Sequence, residues 1–227
     1  MKNLVIFTGS GISAESGLET YRDSDGLWKD FNLLDVATPE GWLKDPDFVQ
    51  EFYNIQRLKV RSSKPNLAHI ALVALEEFYN VAIITQNVDD LHERAGSKDV
   101  LHLHGEINKA QSVLDSTLIY PIKGSKLTVD DKCIHGEMLR PNLVWFGEPV
   151  VNLFHAKILC RSADIFAVIG TSLEVMPAAS LIEEVQNRAV KYLIDQDPFI
   201  NLEGFIKITK KATEGVNVMA RELIFRT

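Results

Sequence analysis

The sequence predicts an α/β fold: a parallel sheet with helices on both faces, plus a smaller domain formed by two insertions. Three observations point there. Short β-branched, apolar runs recur at Leu4 to Phe7, Val81 to Thr85, Ile165 to Ile169, Lys191 to Ile194 and Phe205 to Ile208. Several are continuous rather than alternating, the pattern of strands buried on both faces. Helical periodicity separates the first two runs, giving the strand, helix, strand order of a parallel sheet. Small or polar clusters follow the runs directly, and Rossmann-like sheets of this kind bind ligands in loops outside the carboxyl ends of their strands.

Taken in order, the first run leads into GSGISAESG at residues 9 to 17, with three glycines and three serines in nine positions. A turn at Gly9 and Gly11, followed by a helix predicted to begin near Ser13, gathers backbone N–H groups and the positive end of a helix dipole, which suits a pyrophosphate. Gly9, Gly11 and Ala14 fit the G-x-G-x-x-[GA] dinucleotide pattern. A plain structural turn fits as well, and the acidic residue usual about 20 positions on, at the end of a second strand, is not evident. Asp30 and Asp35 fall instead in Tyr21 to Lys64, which carries aromatic and helical signals (Trp28, Phe31, Trp42, Phe48, Phe52, Tyr53) without a convincing strand. This is the first insertion.

Asn66 to Phe78 reads as a helix, with Leu67, Ile70, Ala71, Ala74, Leu75 and Phe78 at spacings of three and four. After the second strand comes QNVDDLHERAG, in which Asn87 and Asp89 are also suited to capping a following helix. Val100 to Leu103 precedes HG, and Ile165 to Ile169 precedes GTSLEV. Glu106 to Leu139 is polar and weakly periodic, the second insertion. The chain therefore divides into a large domain, approximately 1–21, 66–105 and 140–227, and a small one, approximately 22–65 and 106–139, within a single unit.

The balance of 24 Lys and Arg against 31 Asp and Glu, a formal charge of −7, argues against nucleic acid and favours a cationic partner such as a lysine-bearing peptide. Cys133 and Cys160 are too few for a disulfide framework and are expected to stay reduced. No apolar stretch approaches a membrane span and Met1 to Phe7 is too short for a signal peptide, so a soluble, cytoplasmic protein is expected. No oligomeric state is assigned.

GSGISAESG with Tyr21 and Arg22, TQNVDDLH at 85 to 92, His104 with Gly105, LRPNLVWFGE at 139 to 148 and GTSLEV at 170 to 175 together resemble the sirtuin family of NAD-dependent protein deacylases. The matches run in the family's order across nearly the whole chain. AESG and the tyrosine of FYNIQR resemble the bacterial branch related to members that remove acidic acyl groups. The resemblance implies that His104 is the catalytic histidine, a general base toward a ribose hydroxyl, assisted by Asn87. Histidine suits that duty near neutral pH. His102, two residues earlier on the same predicted strand, faces the same way if the strand continues, so only Gly105 and the resemblance favour His104.

For the cosubstrate NAD, the resemblance implies that Gly9, Ser10, Gly11 and Ala14 cradle the phosphates. Tyr21, Arg22 and Trp28 would cover the cofactor, and Gln86, Asn87, Val88 and Asp89 would surround the nicotinamide. Gly170, Thr171 and Ser172 would meet the adenosine half, with Asp195 at its ribose and Ala212 beside the adenine. An acyl-lysine protein or peptide would pair as an added strand with Val144, Trp145, Phe146, Gly147 and Glu148. Trp145 and Phe146 are equally suited to a core.

Two departures from the family pattern matter. Most sirtuins carry two C-x-x-C pairs holding a structural zinc. Here Cys133 and His135 are the plausible ligands left, so no zinc is expected. Members that accept succinyl or malonyl groups carry Y-x-x-R, whereas Tyr53 is followed by Gln56 and then Arg57. A shift of one helical residue rotates a side chain by about 100°, which turns Arg57 aside, although its long guanidinium could still reach around to the carboxylate; Gln56 binds a carboxylate only as a neutral group, and Tyr53, Gln56 and Arg57 are all candidate substrate contacts. Deacetylation is the expected activity, with desuccinylation or demalonylation secondary. ADP-ribosyl transfer to protein, NAD hydrolysis and noncatalytic NAD sensing are the alternatives.

Overall fold

The structure is a computed structural model that describes residues 1–20, 31–124 and 126–225. In chain order, β1 (Asn3–Thr8) is followed by α1 (Leu33–Val36), α2 (Pro39–Lys44), α3 (Pro46–Ser62) and α4 (Leu67–Leu75). Next come β2 (Asn80–Thr85), α5 (Leu91–Ala95), β3 (Val100–His102), β4 (Gly105–Ser112), β5 (Ile119–Pro121) and β6 (Leu139–Leu143). The chain continues through α6 (Leu153–Ser162), β7 (Ile165–Ile169), β8 (Val190–Ile194), β9 (Ile206–Ile208) and α7 (Ala212–Phe225).

Six strands form a parallel sheet in the order β3-β2-β1-β7-β8-β9. Successive residues of β1 explain why its run is continuously apolar. Leu4 and Ile6 join a core under α4 and α7, whereas Val5 and Phe7 join a second core under α6 and the 3₁₀ segment Ala178–Glu184. Both faces are covered. Register then places the loops: Thr8 lies beside Thr85 on one side and Ile169 on the other, and Thr85 lies beside His102. Gly9, Gln86 and Gly170 therefore leave the sheet at one edge, where the strand order reverses direction and α/β sheets form their crevice.

α4 departs from expectation in its buried face. Leu67 and Ile70 are 62% and 51% exposed, and Phe78 lies beyond the helix end. The core takes Ala68, Ala71, Leu72 and Leu75 instead. The sequence LAHIALVAL is apolar nearly all round, so periodicity admits two faces and packing against the sheet and α7 selects one. Asn66 caps it, its Oδ1 accepting from the Ala68 N–H at 2.9 Å.

The first insertion is helical. Thr38 and Asp45 cap α2 and α3, each followed by proline at the first helical position, where its missing N–H costs nothing. The second insertion carries β5 and nearly all of β4 of an antiparallel sheet, β5-β4-β6, whose third strand, β6, runs on past Leu139, beyond the expected boundary. Pro141 is tolerated in β6 because that strand lies at the edge. Between these helices and this sheet sits a core of Val36, Trp42, Val49, Phe52 and Trp145. A smaller cluster of Ala110, Ile122, Leu127, Cys133 and Leu139 fills the far end of the sheet, with Tyr120 against it. Among the described residues no helix is long and apolar enough to cross a membrane.

Candidate active site

A cavity of about 630 Å³ opens at the carboxyl ends of β1, β2 and β7 and extends under α3 and the turn after β6. Its floor shows why the first loop is rich in glycine. A Cβ on Gly9 would lie 2.7 Å from the Thr171 Cβ, and one on Gly11 would lie 2.7 Å from the Gly170 Cα. Gly170 itself has φ +61°. The loops after β1 and β7 interlock backbone to backbone, with the Gly9 N–H donating to Ile169 O at 3.0 Å and the Gly11 N–H to Gly170 O at 2.9 Å.

This geometry corrects two expectations. In place of a helix beginning near Ser13 there are two 3₁₀ turns, Ser10–Ile12 and Ala14–Ser16. The N–H groups of Gly9, Gly11, Ile12 and Ser13 are all engaged by protein carbonyls, so they are not the free donors anticipated for a phosphate. The small residues Gly9, Ser10, Gly11 and Ala14 still line the cavity.

The loop after β2 is held by a polar network. The Asn87 N–H donates to Thr85 Oγ1 at 3.0 Å, its Nδ2 donates to Ser13 Oγ at 3.2 Å, and Ser13 Oγ donates to Asp89 Oδ2 at 3.0 Å. Asp89 also accepts from the Leu91 N–H two residues on, so lining the cavity and fixing the turn into α5, whose N-cap position is Asp90, fall to the same side chain. Burial raises the Asp89 pKa against these hydrogen bonds. Gln86 accepts from Thr171 Oγ1 at 2.8 Å, tying the loops after β2 and β7 together.

The two candidate histidines separate clearly. β3 stops at His102, which is buried and does not line the cavity. His104 lines it, and its Nδ1 lies 3.0 Å from Gln86 O. A carbonyl only accepts, so Nδ1 carries the proton and Nε2 of the neutral ring is left as an acceptor. Burial lowers the His104 pKa, and the Gln86 carbonyl opposes it only in part.

On the opposite wall, Tyr53 and Gln56 face the cavity from α3, and the Tyr53 hydroxyl accepts from Trp145 Nε1 at 3.2 Å. Burial raises that phenol's pKa and keeps it neutral. Gln56 Nε2 is shielded from solvent with no hydrogen-bond partner among the described residues. Arg57 does not line the cavity: fully buried, it donates from Nε to Ile107 O at 2.7 Å and from Nη1 to Asn54 Oδ1 at 2.6 Å. Burial, with help from Arg61, lowers its pKa to about 10. The structure thus separates Arg57 from the other residues expected to contact substrate.

Val144, Trp145, Phe146, Gly147 and Glu148 all line the cavity, yet β6 ends at Leu143 and this stretch is not a strand. The N–H groups of Val144, Phe146 and Glu148 donate to His104 O, Ala37 O and Trp145 O. The Trp145 N–H donates to Glu148 Oε2, and Glu148 Oε1 lies 2.7 Å from Arg140 Nη2. Trp145 belongs both to the core and to the wall; Phe146 is 44% exposed.

Ser172, Asp195 and Ala212 line the far end with Gly170 and Thr171. Tyr21, Arg22 and Trp28 lie outside the described residues. Sequence reasoning missed Ser13, although it stood inside the quoted loop, and it missed the Lys59 and Glu19 pair at 2.7 Å across the wall. Lys59 sits three residues after Gln56, so the same helical spacing predicts a shared face. No group of three possible metal ligands occurs among the described residues, and Cys133 packs in the cluster of Ala110, Ile122, Leu127 and Leu139 with its thiol hydrogen-bonded to Ser112. The residues present do not fit a four-ligand zinc site.

Residues 9–177 match the model of the Sir2 family. The chain belongs to the Sir2 family. A Bacteroides thetaiotaomicron protein named NAD-dependent protein deacylase is 46% identical over 231 residues, 99% of each chain. A Helicobacter pylori protein of the same name is 50% identical over 195 residues, 86% of this chain and 85% of that one. A Sir2 homolog solved as its NAD complex superimposes with a TM-score of 0.88 at 37% identity, covering 99% of this chain and 90% of the other. A Sir2 structure with a p53 peptide and NAD⁺ gives 0.79 at 29% identity, covering 98% and 93%. The α/β architecture of a six-stranded parallel sheet with a small antiparallel sheet is thus that of a Sir2 protein.

Proposed function

We propose that this Sir2 protein is an NAD-dependent protein-lysine deacylase, releasing nicotinamide and O-acyl-ADP-ribose, with acetyl-lysine as its main substrate. The single observation that carries this reading is His104: one ring nitrogen pinned to a backbone carbonyl, the other left as an acceptor in a cavity walled by the glycine loops and by α3. NAD supplies the glycosidic bond whose cleavage exposes C1′ to the acyl oxygen. His104 takes a ribose hydroxyl proton on Nε2. Asn87, fixed on its backbone and its amide, orients the sugar beside it. Asp89 and Gln86 hold the carboxamide end, the small residues at 9 to 14 admit the phosphates, and Asp195 and Ala212 meet the adenosine.

Acyl-lysine enters between Val144–Glu148 and α3. With four N–H groups of that turn already engaged, its carbonyls carry the peptide contacts. Tyr53 and Gln56 close the acyl end, where a neutral amide holds a distal carboxylate weakly. Gln56→Arg is therefore expected to raise the succinyl-to-acetyl ratio of kcat/KM by about 10- to 100-fold, a charge-assisted hydrogen bond adding about 1.5–3 kcal/mol. An unchanged ratio places the acyl end elsewhere.

We also retain the two-domain division, a cytoplasmic location and the absence of zinc. Metal analysis should find no stoichiometric zinc, and a chelator should leave the melting temperature unchanged. Mass spectrometry of a reaction with NAD and matched acetyl- and succinyl-lysine peptides tests the main reading. Acyl-dependent nicotinamide release with O-acyl-ADP-ribose supports it; ADP-ribosylated protein, free ADP-ribose or no turnover rejects it.

A further inference from the structure

His102 is a buried histidine with no place in the reaction just described, yet it is held between two acceptors. Its Nδ1 lies 2.9 Å from Asn87 O and its Nε2 lies 2.7 Å from Glu93 Oε1. A carbonyl can only accept, and so can an ionised carboxylate. A neutral imidazole owns one N–H and would set a lone pair against one of them. Only the imidazolium satisfies both.

We propose that His102 and Glu93 form a charged clamp that positions Asn87 for turnover, and that deprotonation of His102 sets the alkaline limit of the reaction. This rests on the deacylase reading for the role of Asn87. The clamp holds the one Asn87 backbone group that Thr85 does not, and the Asn87 amide then reaches Ser13 and, through it, Asp89. His102 is itself anchored: Asn152 Nδ2 donates to its carbonyl at 2.8 Å, and its strand is paired with Thr85. Deprotonation leaves one N–H for two acceptors, so either the Asn87 carbonyl loses its donor or the Glu93 carboxylate faces a lone pair and parts from the ring, and in both cases the loop bearing the cavity-lining amide loses its fixed position.

Acidic neighbours favour the charged His102: Glu93 from α5, Glu106 from β4 and Asp89 from the preceding loop. His92, also on α5, would repel it, but burial pushes that ring's pKa well down and keeps it neutral, while Lys109 on β4 and His69 on α4 face Glu93. Burial works against a charged His102, but the hydrogen bond and charge of Glu93, then the Asn87 carbonyl and Glu106, outweigh it and raise the pKa above the ordinary 6.5. Burial likewise opposes an ionised Glu93, and His102 outweighs it, lowering that pKa below 4.5. The pair therefore contributes between those limits, lost at low pH as Glu93 protonates and at high pH as His102 deprotonates. His104 is shifted the opposite way. Two histidines two residues apart are thus divided between base and fixed cation, as paired groups in differing environments commonly are.

The test combines imidazole NMR titration of the whole protein with pH profiles of kcat/KM and kcat for acetyl-lysine peptide. In the native protein the resonance absent from His102→Gln should remain that of an imidazolium at pH 7, while the one absent from His104→Gln should be neutral. His102→Gln and Glu93→Gln should lower kcat by up to about 100-fold, the scale of a small misplacement. They should also abolish or shift the alkaline fall in rate while leaving the acid limb in place. A neutral His102 at pH 7, or variants that keep the native alkaline limb, overturns the clamp. The titration reads His102 whether or not acyl-lysine is turned over, so failure of the deacylase reading is seen separately.

Discussion

Replacing His104 with alanine should lower acyl-lysine turnover by about 10²–10⁴-fold, the usual contribution of a positioned general base. NAD affinity, followed by calorimetry, should change little. The reason is geometric: the ring's one hydrogen bond among the described residues is to Gln86 O, so its loss removes the acceptor at Nε2 without disturbing the interlocked glycine loops. On the acid side the native rate should climb with pH, with an inflection beneath the ordinary histidine value, because burial lowers this pKa and the ring must be neutral to accept a proton. Near-native turnover in the variant, with correct folding by circular dichroism, would remove His104 from the chemistry.

Gly170→Ala should be strongly destabilising. The new methyl would lie 2.6 Å from the Gly11 carbonyl carbon and the Ile12 nitrogen, both backbone atoms, at a φ of +61° that a side chain adopts only with strain. Strain and displaced backbone together should cost about 2–4 kcal/mol. For a chain of this size that corresponds to roughly 4–16 °C in melting temperature at roughly 2–4 °C per kcal/mol. NAD binding should weaken in parallel, because the loops after β1 and β7 must separate to admit the methyl. A variant that melts and binds normally would show that the loops are not rigidly interlocked.

The parallel sheet was readable because burial on both faces leaves a continuous apolar run, a signal that needs no knowledge of neighbours. Asn80–Thr85 and Ile165–Ile169 are of this kind. β4 was not readable, because GEINKAQS alternates weakly and buries its residues against partners distant in sequence. The face chosen by α4 was hidden for the converse reason: too many apolar residues. Within the site, motif spacing found most of the cavity wall but could not say what the glycines are for. A small residue that admits a ligand and one that admits a neighbouring backbone look alike in sequence, and the structure shows Gly9 and Gly11 also making room for the loop after β7. The one-residue choice between Gln56 and Arg57 depended on helix phase, and the structure turns Gln56 toward the cavity and Arg57 into the core.

Arg57 has a mechanical meaning beyond the residue it displaces. Its side chain bolts α3 to β4 at the Ile107 carbonyl, and Asn54 repeats the attachment by donating from Nδ2 to Leu127 O at 3.0 Å and accepting from the Leu127 N–H at 2.9 Å. The helix bearing Tyr53 and Gln56 is thereby riveted to the strands behind it. Widening the cavity on this side would require α3 to move together with β4 and the Leu127 segment, or to give up these buried hydrogen bonds.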